Sequence, residues 1–177
     1  MVQYRRNFVA GGTYFFTAGL WDRRKTLLVD HVDLLRQAFM FARQQKPFRI
    51  DAIVVLPDHL HALWTLPPED ADFSGRWRTI KSRFSRALAR DAAVQLPRDD
   101  RGEYHLWQRR FWEHTIRDQE DFNRHVDYIH FNPVKHGYVS SAKDWRYSSF
   151  HHFVAAGALP ADWASGDSGA FGERYGE

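Results

Sequence analysis

Two histidines stand two positions apart in the segment Pro57-Asp58-His59-Leu60-His61, at the start of an apolar, strand-forming run. On a β-strand, residues i and i+2 point to the same face, so both imidazoles can converge on one ion while Leu60 points to the opposite face. Two neutral imidazoles leave several coordination positions open, as a catalytic ion requires if it is to polarise a phosphate oxygen. A hydrogen-bonded histidine pair at a strand edge gives the same pattern, and spacing alone favours that simpler explanation.

A helix-forming segment farther along the chain carries a phenol beside an imidazole and a carboxamide. His125, Tyr128 and Asn132 follow at i, i+3 and i+7 and share one flank of the helix, which can face the histidine pair. Because the residue before a proline disfavours the α conformation, we expect the helix to end near Asn132, before Pro133. The Asn132 oxygen can then supply a third metal ligand. An ordinary half-buried tyrosine and a helix-end cap explain the same spacing.

Cationic side chains are concentrated in two stretches. The run from Arg76 to Arg90 contains no acidic residue, so a helix there suffers mutual repulsion unless an anion such as a DNA backbone neutralises it. The stretch from Trp107 to Trp112 interleaves guanidinium groups with aromatic rings, the combination with which single-strand binders contact phosphates and stack bases. A soluble basic helix with core tryptophans is the alternative. The candidate DNA-binding residues are Arg5, Arg6, Arg76, Arg78, Lys81, Arg83, Arg86, Arg109 and Arg110.

Composition limits the chemistry that is available to the chain. The 177 residues include no cysteine, which excludes disulfides, thiolate metal sites and cysteine nucleophiles. Mixed nitrogen and oxygen ligands fit Mg²⁺ or Mn²⁺, and the sequence does not decide between them. The N-terminus is polar and there is no stretch of about eighteen apolar residues, so we expect a cytoplasmic, nucleoid-associated protein without a membrane segment.

The elements that must position these residues predict an α+β fold. Apolar periodicity indicates the order strand, helix, strand, strand, helix, strand, followed by the helix that carries Tyr128. This order matches the ferredoxin-like split βαβ arrangement, an antiparallel sheet with helices packed on one face. The predicted strands cover 13–20, 50–56, 61–66 and 111–117, and the predicted helices cover 32–42, 72–94 and 118–131. We expect one domain over 1–156 and a loosely ordered, glycine-rich tail over 157–177.

Five segments, in order and together spanning most of the chain, resemble the REP-associated tyrosine transposases. These proteins are a branch of the HUH superfamily of single-tyrosine transposases, which act on single-stranded DNA. His59, Leu60 and His61 fill the HUH pattern, and Tyr128 with Asn132 fills the tyrosine-helix pattern. The segments are YRRNFVAGGTYFFT at 4–17, PFRIDAIVVLPDHLHALWTLP at 47–67, FSGRWRTIKSRFSRA at 73–87, RFWEHTIRD at 110–118 and HVDYIHFNPVKHGYV at 125–139.

The resemblance implies that 1–156 is a transposase-like catalytic domain in which Tyr128 is the nucleophile. It implies a divalent metal, held by the two histidines and Asn132, and cleavage that leaves a 5′-phosphotyrosine link and a free 3′-hydroxyl. It also implies a monomer whose partners are repetitive extragenic palindromes, which fold into hairpins when single-stranded. Two other functions stay open: a palindrome-binding regulator without the chemistry, and a metal-dependent hydrolase that uses water and leaves Tyr128 structural.

Overall fold

The computed structural model describes residues 6–165, which contain a four-stranded antiparallel sheet. Its strand order, β2-β3-β1-β4, is that of the ferredoxin-like split βαβ fold, so the predicted α+β architecture is confirmed. The strands are β1 Thr13–Gly19, β2 Arg49–Val55, β3 His59–Thr65 and β4 Trp112–Thr115. The helices are α1 Leu27–Asp30, α2 Val32–Gln45, α3 Phe73–Leu88, α4 Gln119–Lys135 and α5 Phe150–Ala155.

The sheet separates two apolar layers, because alternate residues of each strand point to opposite faces. Tyr14, Phe16 and Trp64 lie on one face, within the core that α2 and α3 close. Phe15 and Leu63 lie on the other face, in a smaller core that includes buried residues of α4. Helices α2 and α3 therefore cover one side of the sheet, and α4, which carries the tyrosine, covers the other.

Helix α4 is longer than the sequence pattern predicts, because it continues through Pro133 to Lys135. A proline inside a helix removes one backbone hydrogen bond, but the remaining turns can still close around it. Here the N–H of His136 donates to the carbonyl of Asn132 at 3.0 Å, and the N–H of Gly137 donates to the carbonyl of Val134 at 2.9 Å. The prediction that the helix ends at Asn132 was wrong, and Asn132 lies inside the helix.

Helix α3 is shorter than predicted and ends at Leu88 rather than near Val94. Its apolar stripe, which includes Trp77, Ile80 and Phe84, ends at the same residue, so no further buried side chain holds the next turn. The helix begins where the Asp72 carboxylate accepts a hydrogen bond from the backbone N–H of Gly75 at 2.8 Å.

The structure describes part of the segment that follows α5 but not the two ends of the chain. Within residues 6–165, no helix has the length and apolar character needed to cross a bilayer. After α5 the chain turns back, and the Trp163 ring lies 5.9 Å from the ring of Phe150. Residues 1–5 and 166–177 lie outside the described part, so a tail beginning at Gly157 stays a prediction.

Candidate active site

The two histidines lie on β3, on the sheet face that α4 covers. His59 and His61 are each only 4% exposed, and their ring centroids are 5.0 Å apart. Leu60 between them points into the opposite core, as the alternation of a strand requires. Thr17 of β1 pairs with His61, and Gly19 pairs with His59. The expected convergence of the two imidazoles on one face is confirmed.

Hydrogen bonds to the Nδ1 atoms fix both rings. Nδ1 of His59 lies 2.8 Å from a carboxylate oxygen of Asp58, which also pairs with Arg23. Nδ1 of His61 lies 2.8 Å from the hydroxyl of Thr17. Each ring therefore has its Nε2 left for another partner, and within the described residues Nε2 of His61 is buried without a hydrogen bond. This is the arrangement in which a neighbouring group orients a metal-binding histidine.

Burial keeps both imidazoles neutral. It lowers the pKa of His59, against the raising effect of the Asp58 carboxylate, and it lowers the pKa of His61 well below its ordinary value. A neutral imidazole has a free lone pair, which is the form that binds a metal ion. The pair is thus prepared for an ion over most of the physiological pH range.

The Tyr128 ring lies against the histidine pair, and Asn132 follows one turn later on the same helix. The half-buried Tyr128 ring lies 5.1 Å from the ring of His61 and 5.7 Å from that of Phe15. Asn132, one turn farther along α4, is completely buried. Neither its amide oxygen nor its amide nitrogen has a hydrogen-bond partner among residues 6–165. An unpaired buried amide costs about 1–3 kcal/mol, so this side chain needs a partner that residues 6–165 do not supply.

Two residues of the site were missed by the sequence analysis. The ring of His136 lies 5.2 Å from that of His59, and Nζ of Lys135 lies 5.1 Å from the centre of the Tyr128 ring. In a helix that ends at Asn132 these residues fall outside the pattern. When the helix continues through Pro133, His136 lies at i+4 from Asn132 and Lys135 lies at i+7 from Tyr128. This spacing is the signal that could have indicated both residues.

A second cluster of metal-binding residue types joins β4 to the first turns of α4. The ligand atoms of His114, Asp121 and His125 lie within 4.8 Å of one another. Nε2 of His114 is 2.8 Å from the Asp121 carboxylate, which also accepts from the backbone N–H of Arg117 at 3.1 Å. Burial opposes the charge, yet these hydrogen bonds lower the pKa of Asp121 to about 2. The three residues already form hydrogen bonds with one another, so we interpret the cluster as a structural connection between β4 and α4.

Arg76 does not belong to the candidate DNA-binding surface, and that prediction was wrong. Its side chain is buried, and the guanidinium donates to the carboxylate of Asp70 at 2.7 Å. It also donates to the carbonyls of Lys46 at 3.2 Å and Pro47 at 2.7 Å. The sequence shows the positive charge of Arg76 but not the carbonyls of Lys46 and Pro47, which the connection between α2 and β2 brings to it.

Two other predicted cations are engaged by the protein. Lys81 is half-buried and donates to the carbonyl of Gln108 at 2.9 Å, and burial lowers its pKa to about 8. The guanidinium of Arg6 donates to the Ser74 hydroxyl at 2.6 Å and lies 4.2 Å from the centre of the Phe111 ring. Arg5 lies outside the described residues.

The remaining predicted cations are exposed: Arg78, Arg83, Arg86, Arg109 and Arg110. The three on α3 lie in the layer opposite α4, so a DNA strand that touches both α3 and Tyr128 must pass around an edge of the sheet. β4 forms one edge, and the two exposed arginines at 109 and 110 immediately precede it. Contact of these residues with DNA stays a prediction.

Comparisons with known proteins agree with this geometry. The family described as "Transposase IS200 like" matches residues 13–132. The REP-associated tyrosine transposase of Escherichia coli (strain K12) is 48% identical over 176 residues, which cover 98% of each chain. A Haemophilus influenzae relative is 46% identical over 164 residues, covering 92% of this chain and 93% of that one. A solved structure of a REP-associated tyrosine transposase bound to a REP hairpin has a TM-score of 0.83 and 47% identity, covering 94% of this chain and 93% of that chain. The chain therefore belongs to the IS200-like transposase family, as a transposase enzyme of the REP-associated tyrosine type.

Proposed function

We propose that this chain nicks single-stranded DNA at palindromic hairpins and rejoins the strands through a covalent link to Tyr128. The observation that carries the proposal is the approach of the Tyr128 ring to within 5.1 Å of the His61 ring. The buried amide of Asn132, unpaired among residues 6–165, lies one turn farther along the same helix. The E. coli relative is named for REP elements, and the solved relative holds a REP hairpin, which supports hairpins of this type as the substrate.

The donor set fits a divalent metal ion. His59 and His61 would offer Nε2 atoms, and Asn132 would offer its buried amide oxygen, so the ion would give a partner to Nε2 of His61 and to the Asn132 oxygen, both unpaired among residues 6–165. Nitrogen and oxygen donors without thiolate suit Mg²⁺ or Mn²⁺. When bound, such an ion polarises an oxygen of the scissile phosphate.

The reaction at Tyr128 exchanges a DNA phosphodiester for a phosphodiester to the tyrosine. The phenol oxygen attacks phosphorus and loses its proton, the bond from phosphorus to the 3′-oxygen breaks, and the 3′-oxygen takes up a proton. The product is a 5′-phosphotyrosine diester and a free 3′-hydroxyl. The cation of Lys135 near the phenol ring offsets the negative charge that develops during transfer. Attack by a 3′-hydroxyl on the phosphotyrosine reverses the step, and no nucleotide cofactor is needed because one diester replaces another.

A single copy of the chain holds every group that this reaction uses. The histidine pair of β3 and the tyrosine of α4 meet within one chain. We therefore propose that the protein acts as a monomer on its hairpin. The exposed arginines at 109 and 110 lead into the β4 edge and are positioned to hold the phosphates of the incoming strand.

The decisive experiment uses a single-stranded hairpin that is fluorescently labelled at its 3′ end. With Mg²⁺ or Mn²⁺, the wild type should form an adduct that survives denaturing electrophoresis, since the cleaved 3′ fragment stays on the tyrosine. The adduct should disappear in Tyr128→Phe and in His59→Ala. Tyr104→Phe is the matched control, because Tyr104 lies under Arg98 outside the site, and it should behave as the wild type.

The competing functions give different outcomes in the same assay. Binding without cleavage by the wild type would indicate a palindrome-binding regulator. Cleavage without an adduct, equally efficient in Tyr128→Phe, would indicate a metal-dependent hydrolase and would remove Tyr128 from the mechanism.

A further inference from the structure

Three aromatic rings form a nearly parallel column next to Tyr128. The Trp112 and His114 rings, at i and i+2 of β4, have centroids 6.0 Å apart and planes inclined by 7°. The rings of His114 and His125 have centroids 4.8 Å apart and planes inclined by 17°. The outer member of this column is the indole of Trp112, which is 51% exposed.

The inner part of the column is rigid. The carboxylate of Asp121, which is buried, lies 2.8 Å from Nε2 of His114. Nδ1 of His125 lies 2.8 Å from the backbone carbonyl of the same residue. The two imidazoles are therefore fixed in the free protein. Stacking of a flat group on the Trp112 indole then costs less conformational entropy than stacking that must first order a mobile side chain.

The column lies on the sheet face of the active site. Thr17 of β1 pairs with His61 on one side and with Trp112 on the other, so His61 and Trp112 point to the same face two strands apart. Adjacent strands are about 4.8 Å apart, which places the two backbones about 10 Å from each other. Phe15 lies between them, with its ring 5.7 Å from that of Tyr128 and 5.8 Å from that of Trp112.

We infer that Trp112 is a stacking platform for an unpaired nucleobase close to the scissile phosphate. A phosphate placed at Tyr128 brings the neighbouring bases of its strand within reach of the indole. Base stacking on an aromatic ring accepts any of the four bases, because each has a π face. The exposed arginines at 109 and 110 lie just before Trp112 in the chain and can hold the flanking phosphates. This inference rests on the proposed function, since it takes the cleaved strand as the ligand.

The test measures binding in the Tyr128→Phe background, where the strand stays intact. A hairpin with single-stranded flanks is compared with a series in which each flanking base in turn is replaced by an abasic site. Adding Trp112→Ala should weaken binding of the intact hairpin by about tenfold, equivalent to about 1.4 kcal/mol. One abasic position should cause a similar loss, and combining it with Trp112→Ala should cause no further loss, because both changes remove the same interaction.

Two further variants separate stacking from loss of structure. Trp112→Phe keeps an aromatic ring and should restore most of the affinity. Trp21→Ala removes another exposed indole, 59% exposed and tilted against His105, and should stay within about twofold of its parent. Thermal unfolding of each variant checks that the fold is retained.

The outcomes for this inference and for the proposed function are distinguishable. If the wild type forms no tyrosine adduct, the proposed function fails, but the abasic series still decides whether Trp112 contacts a base. If Trp112→Ala binds with full affinity, or if it responds to every abasic position as its parent does, the platform is overturned. An equal loss in Trp21→Ala would overturn it as well.

Discussion

At the scale of single residues, Asn132 is the most informative side chain of the site. It is completely buried, and among the described residues both ends of its amide lack a partner. Evolution toward stability alone favours an apolar residue at such a place, because an unpaired polar group costs about 1–3 kcal/mol. The oxygen of this amide is explained if its missing partner is an ion, with Nε2 of His61, which is also buried and unpaired among residues 6–165, as a second ligand.

We therefore predict that Asn132→Ala separates stability from metal binding. Without metal, its free energy of unfolding should stay within about 1 kcal/mol of the wild type, since removal of the unpaired amide offsets the poorer packing. At Mn²⁺ near one hundred times its dissociation constant, the wild type should gain about 2.7 kcal/mol, seen as a higher Tm, and Asn132→Ala should lose most of that gain. Asn123→Ala, an exposed asparagine of the same helix, is the control. An undiminished Tm rise in Asn132→Ala would show that the amide is not a ligand.

At the scale of elements, the cations of α3 divide into two kinds. Arg76 points inward and joins the start of the helix to Asp70 and to the carbonyls of Lys46 and Pro47. Arg78, two residues later, is exposed. A run of like charges in a helix sequence can therefore include one residue whose side chain points inward and stabilises the fold.

These two arginines should respond in opposite ways to substitution. Arg76→Ala should lower the free energy of unfolding by about 3 kcal/mol, because the packing of a buried side chain is lost and the carbonyl and carboxylate acceptors lose their donor. Arg78→Ala should change stability by less than about 0.5 kcal/mol, but it should lower the slope of log affinity against log salt by about 0.7, because the variant neutralises one phosphate fewer. Urea unfolding and hairpin binding at several salt concentrations check both effects. If Arg78→Ala leaves the salt slope unchanged, α3 is an ordinary solvated surface.

The sequence predicts the parts of the site that depend on local periodicity. The two-residue repeat of a strand puts His59 and His61 on one face, and the spacing of a helix lets Tyr128 face them, as the structure shows. Their roles came from the family resemblance and stay predictions, because spacing alone also fits ordinary structural residues. Lys135 and His136 were missed because a proline rule ended the helix too early, although the helix tolerates the missing hydrogen bond. The inward turn of Arg76 depends in part on the carbonyls of Lys46 and Pro47, which are distant in the sequence and which no local pattern contains.

At the scale of the whole molecule, buried neutral histidines make the fold sensitive to acid. His130 is completely buried, its Nε2 lies 3.0 Å from the Ser149 hydroxyl, and burial lowers its pKa to about 4. An unfolded histidine has a pKa of about 6.5, so between about pH 6.5 and 4 the unfolded chain binds a proton at this residue and the folded protein does not. The contribution of neutral His130 to the free energy of unfolding is therefore fully present above about pH 6.5 and is lost as the pH falls toward 4.

We predict that His130→Gln weakens this dependence on pH. Between pH 7 and pH 4.5 the wild type should lose about 2 kcal/mol more stability than the variant, because glutamine can keep a hydrogen bond to Ser149 but does not titrate. Urea unfolding across this range measures the difference. His152→Gln, an exposed histidine on α5, should follow the wild-type profile. Parallel curves for the wild type and His130→Gln would contradict the assignment.

The position of the active-site groups along the chain matters while the protein is being synthesised. His59 and His61 lie on β3, and residues up to Thr65 already contain the three strands β2, β3 and β1. Tyr128 lies on α4, which follows β4, and it reaches the histidines only after β4 has been made. Because the ribosome makes the chain from its N-terminus, Tyr128 and the residues of α4 beyond it are the last components of the site to emerge. Under the proposed function, a chain that ends before α4 carries both histidines but lacks the tyrosine with which to attach itself to DNA.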